Sequence, residues 1–239
     1  MAQLWVIRHG QASLFATDYD VLSPVGEAQS KALGVHLAAA QVGVDRAFCG
    51  PAKRQRDTAS LCREGARQTV PDATVIDEFD EHDAFGMLAR MVPKLADDPE
   101  IVRLQAAIAE ADDKRARSGG FQRLFEAVMQ RWLEGKIDEA DAEAWPDFRQ
   151  RVLRGLDRVL EAAGDARRVA VFTSVGPLAV LLQHALATTD LGSFQAGWRI
   201  RNASITRFEY SRRSGTNRLT LDGFNTLPHL PDPTTWTFR

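Results

Sequence analysis

Apolar and polar positions alternate between two periods in the first eighty residues. Short apolar runs rich in β-formers, Leu4-Trp5-Val6-Ile7 and Val44 to Phe48, predict strands over 3–8 and 44–49, with a third over 73–77. Between them the apolar residues repeat at helical spacing. Ala28, Ala32, Val35 and Ala39, beside Leu33, Leu37 and Ala40, form the broad apolar face of a helix over 23–40, and a second helix covers 52–64. Ser23 stands as the N-cap of the first helix and Pro24 as its first residue. Such alternation predicts βαβ units and a largely parallel sheet.

From Phe85 to Glu143 the strand signal disappears. Met87, Leu88, Met91, Val92 and Leu95 fit one amphipathic helix ending near Asp97-Asp98-Pro99; Ile101, Leu104, Ile108 and Ala111 fit a second. Phe121, Leu124, Phe125, Val128 and Trp132 fit a third, with Ser118-Gly119-Gly120 as the break between the last two. This stretch, about 84–144, reads as a helical cap inserted into a single domain spanning 1–239, or more blandly as a helical hairpin padding one sheet edge. A long helix follows from Trp145 to about Ala163. Then comes a continuously apolar strand over 168–173, of the kind buried on both faces. Ser174-Val175-Gly176-Pro177 turns into a helix over 178–187. Two late strands, roughly 200–210 and 218–224, are joined by a turn at Arg212-Arg213-Ser214-Gly215 and pair antiparallel, so the sheet is mixed. The tail from Pro231 to Thr235 is too rich in proline for regular structure.

Composition narrows the function classes. With 239 residues, 44% of them hydrophobic, the chain can bury a full core. A formal net charge of -2 argues against bulk binding to nucleic acid or an anionic membrane. Two cysteines, Cys49 and Cys62, are too few for a disulfide framework and match a reducing, cytoplasmic setting. The longest apolar stretch, Pro177 to Leu182, is far short of a membrane span.

The candidate chemistry begins at Ile7-Arg8-His9-Gly10-Gln11. His9 follows a predicted strand directly, and open α/β sheets bind ligands at the carboxyl ends of their strands. Arg8 carries a permanent planar fork of donors matched to phosphate oxygens. Gly10 lets the chain turn away without a Cβ in the way of a ligand. Arg54 lies at the N-terminal end of the second helix, where helix dipole and guanidinium act on one anion, and Thr58 is on the same face one turn on. Arg56 points roughly 200° away and belongs to the surface.

The order Arg8-His9-Gly10, then Leu22-Ser23-x-x-Gly26-x-x-Gln29, then Pro51-x-x-Arg54-x-x-x-Thr58-Ala59 resembles the histidine phosphatase superfamily, also called phosphoglycerate mutase-like. The resemblance covers residues 3–60 and returns over 145–230, through a strand-turn-helix and the ending Asn225-x-x-x-His229-Leu230. It implies a three-layer α/β fold: a mixed, mostly parallel sheet with helices on both faces and a helical cap. It implies a phosphomonoester hydrolase with His9 as nucleophile, Arg8 and Arg54 on the phosphate, and Gln11 as an auxiliary donor, Ser13 less so. No cofactor or metal is implied. The partner is a small phosphorylated substrate or inorganic phosphate, and the chain itself as a homodimer. The family places an acidic residue after the third strand, where both Glu78 and Glu81 satisfy the pattern; Glu81 is preferred because it lies nearer the cap.

One position departs from the family. Active relatives carry Ser-His-Gly after the strand at 168–173, and here the turn reads Ser174-Val175-Gly176. Valine offers neither charge nor hydrogen bond, and one lost transition-state donor typically costs on the order of 10²–10³ in rate. Backbone N–H groups near Gly176, at a helix start, can still cradle phosphate, or His82 can substitute from elsewhere. Two readings follow: a phosphatase working slowly through a phosphohistidine at His9, mutase activity being the lesser expectation, and a phosphate-ligand binder without turnover. A third, a scaffold, rests only on Trp132 and Trp145 as exposed aromatics. His36 and His184 fall on amphipathic helices, and His229 is expected to hydrogen-bond locally.

Overall fold

A computed structural model describes residues 2–13, 20–67, 69–137, 142–211 and 218–238. The chain forms two compact units, Met1–Glu81 with Gln150–Arg239, and His82–Arg149. The first holds strands β1 (Ala2–Arg8), β2 (Arg46–Cys49), β3 (Ala73–Val75), β4 (Arg168–Thr173), β5 (Ile205–Ser211) and β6 (Arg218–Thr226). Its helices are α1 (Pro24–Ala39), α2 (Lys53–Gly65), most of α6 (Trp145–Ala163), α7 (Val175–Leu186) and α8 (Asp190–Gly197). The second holds α3 (Ala84–Lys94), α4 (Pro99–Ala109) and α5 (Lys114–Leu133).

The six strands make one mixed sheet in the order β3-β2-β4-β1-β5-β6. β1, β2, β3 and β4 pair in parallel, and β5 runs antiparallel to both β1 and β6. Register sorts the core. Trp5 and Ile7 are level with Ala170 and Phe172, and with Ala47 and Cys49 they form one buried face against Leu33 and Leu37 of α1 and Ala59 and Cys62 of α2. Leu4, Val6, Val169 and Val171 alternate with that set and are equally buried, so the central strands are covered on both sides. The expected mixed α/β sheet is the one observed. Among the described residues no helix is long and apolar enough to cross a membrane.

Ser23 caps α1 by accepting from the Gly26 N–H at 3.1 Å. Three local expectations need correction, and one helix was not expected. Residues 200–204 are not strand: the chain turns there, with Ala203 left-handed at φ 57°, and β5 starts at Ile205. Val175 to Pro177 already form the first turn of α7 rather than a loop before it. The short helix α8 was not legible from periodicity, because it lasts two turns and buries only Ser193, Phe194 and Gly197. Finally, Ser118-Gly119-Gly120 lies inside α5. The break falls at 110–113, where Asp113 caps the helix by accepting from the Ala116 N–H at 2.7 Å. Gly120 serves packing instead: a Cβ there would stand 2.7 Å from Ile108 Cγ1, so its absence lets α4 and α5 close together. The turn expected at Arg212–Gly215 lies outside the described residues.

In the second unit Trp132 and Trp145 are core residues, 2% and 3% exposed. Trp132 stacks on His82 with ring centroids 4.8 Å apart and meets Phe148 edge-on at 5.7 Å. The aromatics on which a scaffold reading rested are therefore consumed by packing.

Candidate active site

β1 and β4 end side by side, with Arg8 level with Thr173. His9 leaves β1 with its N–H on the Thr173 carbonyl at 2.9 Å, and its own carbonyl accepts from the Ala203 N–H and Asn202 Nδ2, both at 3.2 Å. The imidazole is buried, 4% exposed. Nδ1 lies 2.7 Å from the Gly10 carbonyl oxygen, which can only accept, so Nδ1 carries the proton. Nε2 keeps its lone pair and receives the Arg54 Nε–H at 3.3 Å. Burial first, then the charges of Arg54 and Arg8, hold the His9 pKa well below the ordinary histidine value. Nε2 is thus unprotonated, with its lone pair on the Arg54 Nε–H, and the ring is neutral at pH 7.

Arg54 sits in the first turn of α2. Asp20 organises that turn, accepting from the Lys53 N–H at 2.7 Å and the Arg54 N–H at 3.3 Å while pairing with Arg54 Nη1 at 2.8 Å. With Nη1 held on Asp20, the Nε side of the guanidinium faces His9. Thr58 closes the loop: its hydroxyl donates to the Arg54 carbonyl at 2.7 Å and accepts the Gly10 N–H at 3.0 Å. Arg8 is buried and donates through Nη1 to the Ile200 carbonyl. Arg56 is exposed, as its helical phase requires.

Gly10 has a different reason from the one read in the sequence. A Cβ there would meet the Gly26 carbonyl oxygen at 2.4 Å and Ser30 Oγ at 2.8 Å, so glycine is required for the approach of α1 and not for ligand access. Gln11 is held by its oxygen and its backbone, which leaves its Nε2 donor as the group for the auxiliary role. Its side-chain oxygen accepts from Ser23 Oγ at 2.9 Å, and its N–H donates to Gln29 Oε1 at 3.0 Å. The loop after His9 is therefore pinned to the start of α1. Ser13 continues this loop, its N–H on the Val21 carbonyl at 2.8 Å.

At the end of β4 the chemistry is of another kind. The Gly176 N–H, read as a phosphate donor, points at the Glu81 carboxylate, 3.1 Å from each oxygen. The first turn of α7 thereby positions Glu81, whose charge is felt at His9. Glu78 is engaged elsewhere, its carboxylate gripped by Arg158 Nη1 at 2.7 and 2.6 Å. Val175 is half-buried, and one methyl lies 3.2 Å from where a Cβ on Gly197 would stand, so the side chain packs toward α8. Gln55, fully buried, ties this end to α2: its Nε2 donates to Ser174 Oγ at 2.7 Å and to the Phe79 carbonyl at 3.3 Å. His82 sits in the aromatic packing of the second unit. His229 does not hydrogen-bond locally: both ring nitrogens are buried without a hydrogen-bond partner, and burial with the nearby His36 lowers its pKa to about 4.

Asp20, Gln55, Gln29 and Asn202 escaped the sequence reading. Gln29 carried a signal, since it ends the Leu-Ser-x-x-Gly-x-x-Gln pattern; the others are single polar residues whose partners are remote in the chain.

A family model described as the histidine phosphatase superfamily (branch 1) matches residues 4–102 and 115–222. The chain belongs to this superfamily. The match runs into the helical stretch, where the sequence motifs alone showed no resemblance. Among solved structures, a phosphoglycerate mutase from Bacillus anthracis aligns at a TM-score of 0.65 and 19% identity, over 96% of this chain and 95% of that one. A mycobacterial glucosyl-3-phosphoglycerate phosphatase, in complex with VO3, aligns at 0.63 and 19% identity over 94% and 99% of the two chains. The α-ribazole phosphatase of Shigella flexneri aligns at 0.61 and 20% identity over 94% and 96%. At such identities these neighbours establish the α/β, phosphoglycerate mutase-like fold. A search of curated proteins by sequence finds no match. Membership of the histidine phosphatase superfamily supports phosphatase- or mutase-type activity in general without choosing between them.

Proposed function

We propose that this histidine phosphatase superfamily member hydrolyses a small phosphomonoester through a phosphohistidine at His9. The observation that carries the reading is the fixed tautomer: Nδ1–H on the Gly10 carbonyl leaves Nε2 unprotonated, its lone pair on the Arg54 Nε–H that a phosphate oxygen would take over as Nε2 attacks. In the first step Nε2 attacks phosphorus and the phosphorus–oxygen bond to the alcohol breaks. Arg54 and Arg8 neutralise the nonbridging oxygens, and Glu81 in its acid form protonates the departing alkoxide. In the second step the Glu81 carboxylate takes a proton from water, which attacks the phosphohistidine and releases inorganic phosphate and free His9. Gln11, anchored through Oε1 on Ser23, offers Nε2 as an auxiliary donor to the phosphate. Gly176 orients Glu81 rather than holding phosphate.

Mutase chemistry requires a phosphorylated enzyme that outlasts water attack, and a site with valine at 175 lacks the side-chain donor that would brace it. The same residue favours a second reading, a phosphate-ligand binder with little turnover. Hydrolysis of a chromogenic phosphomonoester by wild type and His9→Ala separates the two. His9-dependent turnover, with a labelled phosphoryl group trapped on the enzyme, is the expected result. Equal rates for both proteins remove His9 from the chemistry. Absent turnover with vanadate binding retained transfers the assignment to the binder.

A further inference from the structure

The tail from Pro231 to Thr235 was expected to lack regular structure. It contains a single 3-10 turn, Pro233–Thr235, followed by extended chain. That chain is attached to the nucleophile loop from behind. Gln29 Nε2 donates to the Thr235 carbonyl at 2.9 Å and to Thr237 Oγ1 at 3.1 Å, and the Asn202 N–H donates to the Thr237 carbonyl at 2.9 Å. Thr237 Oγ1 in turn donates to Asn202 Oδ1 at 2.9 Å. Gln29 and Asn202 are fully buried, 1% and 0% exposed, while Thr237 is half-buried at the edge of the network.

A carboxamide has an oxygen that accepts and a nitrogen that donates, and its two ends exchange on a flip. The Thr237 hydroxyl joins the two amides. It accepts from Gln29 Nε2, whose orientation the Thr235 carbonyl already fixes, while Gln29 Oε1 takes the Gln11 N–H at 3.0 Å. It donates to Asn202 Oδ1 while Asn202 Nδ2 stands on the His9 carbonyl at 3.2 Å, so it holds both amides in place without choosing their orientation. A flipped Asn202 would set oxygen against the His9 carbonyl oxygen, and a flipped Gln29 would set N–H against N–H. We infer that Thr237 is a positioning residue, which through Gln29 and Asn202 fixes the backbone on either side of the His9 imidazole. The inference rests on the catalytic reading of His9.

The test compares Thr237→Val, Thr237→Ser and wild type by turnover of a chromogenic phosphomonoester, thermal unfolding, and amide hydrogen exchange at Gln11. Valine keeps the shape and the backbone contacts of the segment while removing the hydroxyl; Thr237→Ala serves if the valine variant does not fold. The expected result for Val is faster exchange confined to the loop and a kcat lowered roughly 10-fold, within the 10²-fold a misplacement of about 1 Å costs, with KM little changed. Serine should restore both. Wild-type exchange at Gln11 in Thr237→Val overturns the inference. So does a rise in exchange across the whole first unit that serine does not reverse, which would mark Thr237 as merely structural. If wild type shows no His9-dependent turnover, the phosphatase reading fails separately, and exchange at Gln11 alone decides the role of Thr237.

Discussion

Two neighbouring strand ends in the same sheet arrange their polar groups in different ways. The end of β1 uses side chains: His9 unprotonated at Nε2, Arg54 donating to it, Arg8 buried alongside. The end of β4, one strand away and in register, offers no ionisable side chain over Ser174-Val175-Gly176. It contributes through backbone, with the Gly176 N–H holding Glu81. The first end therefore sets the charge and protonation state of the site, while the second sets where an acid group stands. Glu81 is positioned without any ionisable side chain from the β4 turn, because the helix N-terminus depends on chain geometry and not on residue type.

Replacing Glu81 with Gln presses hardest on this division of labour. The change should lower turnover by about 10²–10⁴-fold, the usual worth of a general acid. The loss should be steeper for an alkyl phosphate than for a nitrophenyl phosphate, whose leaving group needs no proton. An equal loss on both substrates would mean that Glu81 acts by shape alone.

Restoring a side chain to the β4 end is the converse. Val175→His should raise phosphomonoesterase activity by about 10²-fold, one oxyanion donor's worth. A folded variant that gains nothing would show that packing toward Gly197 aims position 175 away from the reacting phosphoryl group.

Acid titration separates the two ends through His9. Its folded pKa lies below the unfolded value because burial and two arginines oppose its charge. The neutral imidazole therefore persists as pH drops below 6.5, and kcat/KM should hold until well under that pH. The same depression means the unfolded chain binds the proton first, so stability is full above pH 6.5 and declines as pH falls toward the folded value. His229 adds a loss of the same sign between 6.5 and about 4, worth about 3 kcal/mol. His229→Leu should remove that share of acid sensitivity in urea titrations at pH 7 and pH 4 while leaving the pH–rate profile unchanged.

The smallest effect lies at the far end of α7. Ala187 closes that helix in the left-handed region at φ 50° and is exposed. Ala187→Gly should stabilise the protein by about 0.5–1 kcal/mol with no change in activity. A change in kcat from so remote a substitution would show that α7 transmits strain to Glu81, against the division drawn above.

Local physics wrote much of this molecule into its sequence. Apolar periodicity placed β1, α1, α2 and β4 within a few residues, and Ser23 and Pro24 started α1 where capping chemistry requires. His9, Arg54 and Thr58 were legible because each falls at a strand end or in the first turns of a helix, and helical phase separated Arg54 from Arg56. Even the absence of a second histidine was plain from Val175. What stayed hidden depended on partners distant along the chain. Glu78 and Glu81 are equivalent by local pattern, and only the meeting of residue 81 with Gly176 distinguishes them. Ser118-Gly119-Gly120 carries a breaker's composition, yet packing against Ile108 kept it helical. His9 owes its protonation state to burial and to arginines 1 and 45 residues away, and its backbone to a network anchored at Thr237. Residue type and spacing decide which elements form and which groups are available. Which ring nitrogen carries the proton, how the amides are oriented and which of two carboxylates meets the β4 end are settled by desolvation and hydrogen-bond direction, and those exist only after the sheet has closed.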